Sequence, residues 1–167
     1  SKFAAVINQA KATAVDMTVA QKGGGGGEYT PPEAGPTLVR MVGYIELGKH
    51  ESEYKGQKKT RPEVAMVFEL LGKRHPPVEI DGVKYPQRIT IREGLSLNEK
   101  ARFFKLFGIM NWQGKATHMA ELLLAPFAAT VVHREYVANG EKRVAAELYD
   151  RAAGSYTVRP ARTPVID

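Results

Sequence analysis

Between Lys49 and Arg61 the chain sets five cations, Lys49, Lys55, Lys58, Lys59 and Arg61, against two carboxylates, Glu51 and Glu53, with His50 and Tyr54 among them. Ammonium and guanidinium groups neutralise phosphates, and an aromatic ring gives a base a face to stack on. These residue types therefore suit a nucleic-acid strand. A solvated hairpin tip whose lysines merely keep it in solution has the same composition. Taken alone, the stretch leaves both readings open.

Other cations fall at spacings that favour the first reading. From Gln87 to Arg92, Ile89 and Ile91 alternate with Arg88, Thr90 and Arg92, so the apolar pair takes one strand face and two guanidinium groups the other. Such a row serves as the floor of a groove for a phosphodiester chain, or equally as a solvent face. The basic segments around it tip the balance towards the groove. Lys73, Arg74 and His75 sit where a strand gives way to Pro76 and Pro77.

Chemistry of other kinds is missing. The absence of cysteine removes disulfides, thiolate zinc sites and thiol nucleophiles together. His50, His75, His118 and His133 are scattered without metal-ligand spacing. No nucleophile elbow, kinase set or dinucleotide fingerprint occurs. Glu33, Glu46, Glu51 and Glu53 occupy exposed or strand positions with nothing evident to hold a metal. A metal-dependent nuclease needs acidic ligands that converge in space, which spacing along the chain does not reveal. The expectation is a non-enzymatic protein with no catalytic residue, metal or cofactor.

Two strands must carry the basic segment. TLVRMVGYIELG places Val39, Met41, Ile45 and Leu47 on one face at period two, and PEVAMVFELLG does the same with Val64, Met66, Phe68 and Leu70. Matching apolar faces predict an antiparallel hairpin on a core, with KHESEYKGQKKTR as its connecting loop. Asp81-Gly82 and Asn139-Gly140 mark two further hairpins. Ser96-Leu97-Asn98-Glu99 reads as a capping box opening a helix that turns Ala101, Phe104 and Phe107 or Leu106 inward, turns Lys100, Arg102 and Lys105 outward, and stops at Gly108. Trp112 is expected to plug the edge of the core, and Thr117 to cap a short helix before Pro126.

Upstream, residues 3–21 form either a weakly amphipathic helix or an extended arm, and Gly23 to Gly27 make a flexible joint. The joint is no phosphate loop, since no Gly-Lys-Ser/Thr closes it. The organisation expected is an N-terminal arm over 1–36, a β-rich domain over 37–151 and a C-terminal arm over 152–167. Its class is α+β, mainly antiparallel, either an oligonucleotide-binding barrel or an open twisted sheet, with one main helix and flexible arms. Arms of this kind can complete a neighbour's sheet edge, which predicts a homo-oligomer. A net charge of +6 and a pI near 9.5 favour an anionic partner, nucleic acid before membrane. With no signal-peptide core and no bilayer-spanning segment, a soluble cytoplasmic protein is expected.

The wording TLVRMVGYIELGKHESEYKGQKK, then VAMVFELLG, then ITIREGLSLNEKARFFKLFG, resembles small phage-encoded proteins that bind single-stranded DNA. The likeness covers about the middle half of the chain and lies in pattern and phrasing. Some podoviruses use such a protein to hold melted promoter DNA and recruit their own RNA polymerase; others coat replication intermediates with it. The resemblance implies single-stranded DNA as ligand and a phage RNA polymerase or replication proteins as partners. It makes strand contacts of the hairpin cations and of Tyr44, Tyr54 and Tyr85. The full candidate set is Arg40, Tyr44, Lys49, Tyr54, Lys55, Lys58, Lys59, Arg61, Lys73, Arg74, Tyr85, Arg88 and Arg92. Replicative members commonly end in an acidic tail. This chain ends VRPARTPVID with only Asp167 acidic, a departure that counts against a general replication role and leaves room for the transcription role.

Overall fold

The computed structural model describes residues 2–13, 18 and 29–161. The chain divides into two units, Ser1–Thr30 and Pro31–Asp167. In the first, helix α1 spans Lys2–Thr13, with Phe3, Val6 and Ile7 exposed on it; apart from residue 18, the rest of the stretch 3–21 expected as helix or arm lies outside the described residues. The glycine joint at 23–27 lies outside the described residues.

The second unit holds strands β1 (Gly35–Tyr54), β2 (Gln57–Leu70), β3 (Val78–Ile80), β4 (Val83–Tyr85) and β5 (Arg88–Gly94). Helix α2 (Arg102–Met110) and a 3-10 turn at Met119–Leu122 follow. The chain then forms β6 (Pro126–Ala138), β7 (Glu141–Glu147), β8 (Tyr149–Asp150), β9 (Ser155–Tyr156) and β10 (Arg159–Pro160). The main sheet runs β10-β6-β1-β2-β5, with β7 also paired to β6, and its ladders are antiparallel. The expected α+β, mainly antiparallel class is observed. Of the two architectures weighed, the sheet is the open one: β5 and β10 end the order, and among the described residues no ladder joins them into a barrel.

One sheet face and α2 enclose the core. Val39, Met41, Val64, Met66, Phe68, Leu70, Ile89 and Ile91 meet Phe103, Leu106 and Met110 of the helix, and Phe127, Ala129 and Val131 extend the layer along β6. Burying Phe68 and Phe127 contributes roughly 2–3 kcal/mol each. A nine-residue helix is too short to persist alone, so this packing holds α2 in place.

The helix begins later than its sequence signal. Ala101 is the N-cap and makes no side-chain cap; Ser96 and Asn98 instead accept amides within the preceding turn, from Asn98 and Lys100. The inward face is accordingly Phe103, Leu106 and Met110, while Phe104 is exposed and Gly108 lies inside the helix. Trp112 does not plug the core; more than half of it is exposed. Nor is the chain from 152 onward an arm throughout: Tyr156 and Val158 are buried, and β10 pairs with β6. Residues 162–167 lie outside the described residues. At the other end the lead-in 31–36 belongs to the β unit, with Pro32 buried.

Backbone detail in the first hairpin changes what its residues face. The expected loop over 49–61 is a continuation of β1 and β2, paired through Tyr54 and Gln57 around a two-residue turn, Lys55-Gly56. Both turn residues have positive φ, 52° and 74°, as do Asp81-Gly82 and Asn139-Gly140, so the three hairpins share type I′ geometry. Lysine is a poor choice for that conformation and costs about 1 kcal/mol there. Two register shifts in β1, between Met41 and Gly43 and between Glu46 and Gly48, each insert one extra residue opposite β2. The first reverses the alternation. Tyr44 turns to the core side opposite Met66, and Ile45, expected inside, is half exposed.

Candidate nucleic-acid interface

Because β2 runs without a shift, its odd-numbered residues from Gln57 to Glu69 share the outward face, and the register fixes their neighbours. Arg40, Glu69 and Arg88 form one row across the sheet, then Gly43, Val67 and Thr90, then Ile45, Ala65 and Arg92, then Gly48, Glu63 and Gly94. Beyond the sheet this face continues along the two-stranded ribbon as the pairs His50–Arg61, Ser52–Lys59 and Tyr54–Gln57. The opposite ribbon face carries Lys49, Glu51, Glu53, Lys58 and Thr60.

The two ribbon faces differ in electrostatic character. The outward one bears Arg61, Lys59, Tyr54, His50 and two neutral polar groups, with no carboxylate. The other balances two lysines with two glutamates. Arg61 crosses β5 at Gly94, where an added Cβ would lie 3.1 Å from its guanidinium, so the side chain lies flat over the backbone. The Lys55 ammonium stands 5.4 Å from the Tyr54 ring centre, a cation–π contact at the tip. Tyr54 itself is 71% exposed, leaving ring surface for a ligand. Among the described residues, none of Lys49, Lys58, Lys59 and Arg61 is engaged in an ion pair.

The sheet cations are arranged otherwise. Glu69, 5% exposed, accepts from Arg40 at 3.1 Å and from Arg88 at 3.0 Å, and Glu63 accepts from Arg92 at 3.0 Å. Arg74 donates to Glu33 at 2.6 Å and packs against Gly35. These four arginines are thus compensated by carboxylates, and a phosphate would have to compete for them. Three Tyr and Lys candidates stand apart from the ribbon face. Tyr44, on the core side, donates to Glu46 and meets His118 edge-on. Burial, together with that bond, pushes its hydroxyl up to about 12. Tyr85 lies on the separate β3–β4 hairpin, and Lys73 is in the turn before it.

Sequence reasoning missed the membership of the ribbon face. Ser52 and Gln57 belong to it while Lys49 and Lys58 do not. The Lys-Gly turn was the available signal, since a two-residue turn at 55–56 fixes every cross-strand pair.

Burial pushes the Glu69 carboxyl up, but the hydrogen bonds and charges of Arg88 and Arg40 outweigh it and hold it below its ordinary value. Its folded pKa being depressed, the triad stabilises the fold above the unfolded value of 4.5 and loses that contribution as pH falls through the folded value. Glu69→Gln is therefore expected to lower stability by about 2 kcal/mol at pH 7, with the difference from wild type closing at an acid pH below the lowered folded value of Glu69. Urea unfolding of both proteins at the two pH values checks this; a difference independent of pH would contradict it.

Among the described residues no cluster of three or more His, Asp or Glu is placed to hold a metal ion, and no helix is long and apolar enough to cross a membrane. Comparison of the chain with family models, with curated proteins and with solved structures yields no match.

Proposed function

We propose that the protein is a non-enzymatic binder of single-stranded DNA that lays the strand along the outward face of the β1–β2 ribbon. The observation that carries this reading is the segregation of charge along the projecting part of the hairpin: Arg61 and Lys59 share one face with His50 and Tyr54, and Glu51 and Glu53 occupy the other. Phosphates meet the two cations and Lys55 at the turn, while a base stacks on Tyr54, giving strong salt dependence and little sequence preference. The ribbon projects beyond β5 and β6, which pair only with 63–69 of β2 and 35–40 of β1, so among the described residues no strand covers either of its edges. By resemblance, the role extends to phage transcription or replication, with a polymerase as partner.

Tyr54→Ala tests the stacking component. Affinity for a mixed-sequence single-stranded oligonucleotide is expected to fall about tenfold, with an unchanged salt slope, because one stacked base is worth roughly 1–3 kcal/mol and no phosphate contact is lost. Unaltered affinity would remove Tyr54 from the interface.

A second reading, an adaptor acting through protein contacts, is favoured by one feature. Val78, Ile80, Val83 and Tyr85 share one face of the β3–β4 hairpin, and each is about half exposed.

A further inference from the structure

A second cationic region lies away from the ribbon. Lys100, Arg102 and Lys105 line a cleft of about 500 Å³ that Gly108, Ile109, Tyr149, Gly154, Ser155 and Tyr156 complete, with no carboxylate among the described residues of its wall. Arg102 and Lys105 are three residues apart on α2, so they share a helix face, and Gly108 continues it one turn on.

The arginine is held in place without being neutralised. Its guanidinium stacks on the Tyr149 ring, 4.2 Å from the centre, and Tyr149 is braced by the edge of Tyr156 at 5.0 Å. Tyr156 is in turn anchored through its hydroxyl, which donates to Glu93. Among the described residues, none of Lys100, Arg102 and Lys105 is in an ion pair. A positioned guanidinium with unused N–H groups, flanked by two ammonium groups, is what a phosphate recognises.

Gly108 gives the cleft its shape. Glycine inside a helix is destabilising relative to alanine, and here nothing lies within 4 Å of where a Cβ would stand. No packing demand requires it. Its absence of side chain leaves a flat floor beside Ile109 in a cleft whose volume falls in the range of small-ligand sites.

We propose that the cleft between α2 and the β8–β9 hairpin is a nucleotide site, taking a phosphate among Lys100, Arg102 and Lys105 and the attached base over Gly108 and Ile109. The site stands independently of the ribbon reading. A phosphate-bearing nucleotide can reach it as a free mononucleotide or as one unit of a strand, and the chemistry of recognition is the same.

The test is an amide-detected NMR titration of the full chain with AMP, with inorganic phosphate and with a short oligothymidylate. AMP is expected to give saturable shifts at Gly108, Ile109, Gly154 and Ser155, and to bind more tightly than phosphate. Lys105→Glu weakens AMP about tenfold or more. Gly108→Ala, which raises the melting temperature by about 2 °C and so tests a fully folded protein, also weakens AMP. Shifts of the same amides with the oligothymidylate identify a strand-borne unit; shifts with AMP alone identify a free nucleotide. Equal affinity for AMP and phosphate, or indifference to both substitutions, would overturn the proposal. Lys59→Ala/Arg61→Ala leaves the AMP-induced shifts in place, so failure of the ribbon reading and failure of this one are told apart.

Discussion

Replacing Lys59 and Arg61 together by alanine is expected to weaken binding of a single-stranded oligonucleotide about 100-fold at low salt. Each charge-assisted phosphate contact is worth about 1.5 kcal/mol, close to a factor of ten. The slope of log affinity against log salt should become shallower by about 1.4, since each phosphate neutralised on a single strand accounts for about 0.7. Lys49→Ala/Lys58→Ala removes the same charge from the opposite ribbon face. Its effect should stay within about fivefold, because it alters only the screened field around the hairpin. Anisotropy titrations of both double variants at several salt concentrations give the comparison. Equal losses would mean that overall charge, and not the face assigned by the register, governs binding.

The second large effect concerns stability. His75 is 2% exposed, and it ties two segments distant in sequence. Its Nε2–H donates to the Glu33 carbonyl at 2.7 Å, and its Nδ1 lies 3.0 Å from the Thr37 hydroxyl, which also accepts from the Gly72 amide. A carbonyl only accepts, so Nε2 must carry the proton; in the neutral ring Nδ1 then shares the single proton of the Thr37 hydroxyl with the Leu38 carbonyl, which lies 3.2 Å from the hydroxyl oxygen. Truncation removes one partner each from the buried Thr37 hydroxyl and the Glu33 carbonyl and leaves a void. His75→Ala should cost about 3 kcal/mol and lower the melting temperature by about 10 °C. Thermal unfolding followed by circular dichroism measures this. A shift under about 2 °C would show that water replaces the ring without loss.

The ribbon was legible in its pairing and illegible in its faces. Period-two alternation in Val64, Met66 and Phe68 marks β2 correctly, and Ile89 and Ile91 do so for β5. Asp81-Gly82 and Asn139-Gly140 announce their turns because those side chains tolerate positive φ. Lys55-Gly56 does not, so the hairpin reads as a loop until backbone pairing is known. Bulges at β1 leave no compositional trace, and a single extra residue was enough to send Tyr44 inward and Ile45 outward.

The cations tell a similar story. That Arg40 and Arg88 meet at Glu69 depends on two cross-strand registers at once, and no spacing along the chain encodes it. On α2, Leu106 is buried, as one of the two alternatives expected, but Phe103 takes the place expected of Phe104, because those two phenylalanines are adjacent and chemically identical. Only the start of the helix after Ala101 decides which is buried. Tyr156 and Val158 sit in a polar, proline-containing tail, and their burial comes from the pairing of β8 with β9 and β10 with β6.

The central claim is that the protein prefers a flexible single strand to a duplex. Fluorescence anisotropy of one labelled mixed-sequence oligonucleotide, single-stranded and then annealed to its complement, tests it at low and near-physiological salt. Preference for the single strand at both salts, with affinity falling steeply between them, is the result predicted from a projecting ribbon with an exposed stacking ring. Equal affinity for the two forms, or weak binding to both at low salt, would contradict it.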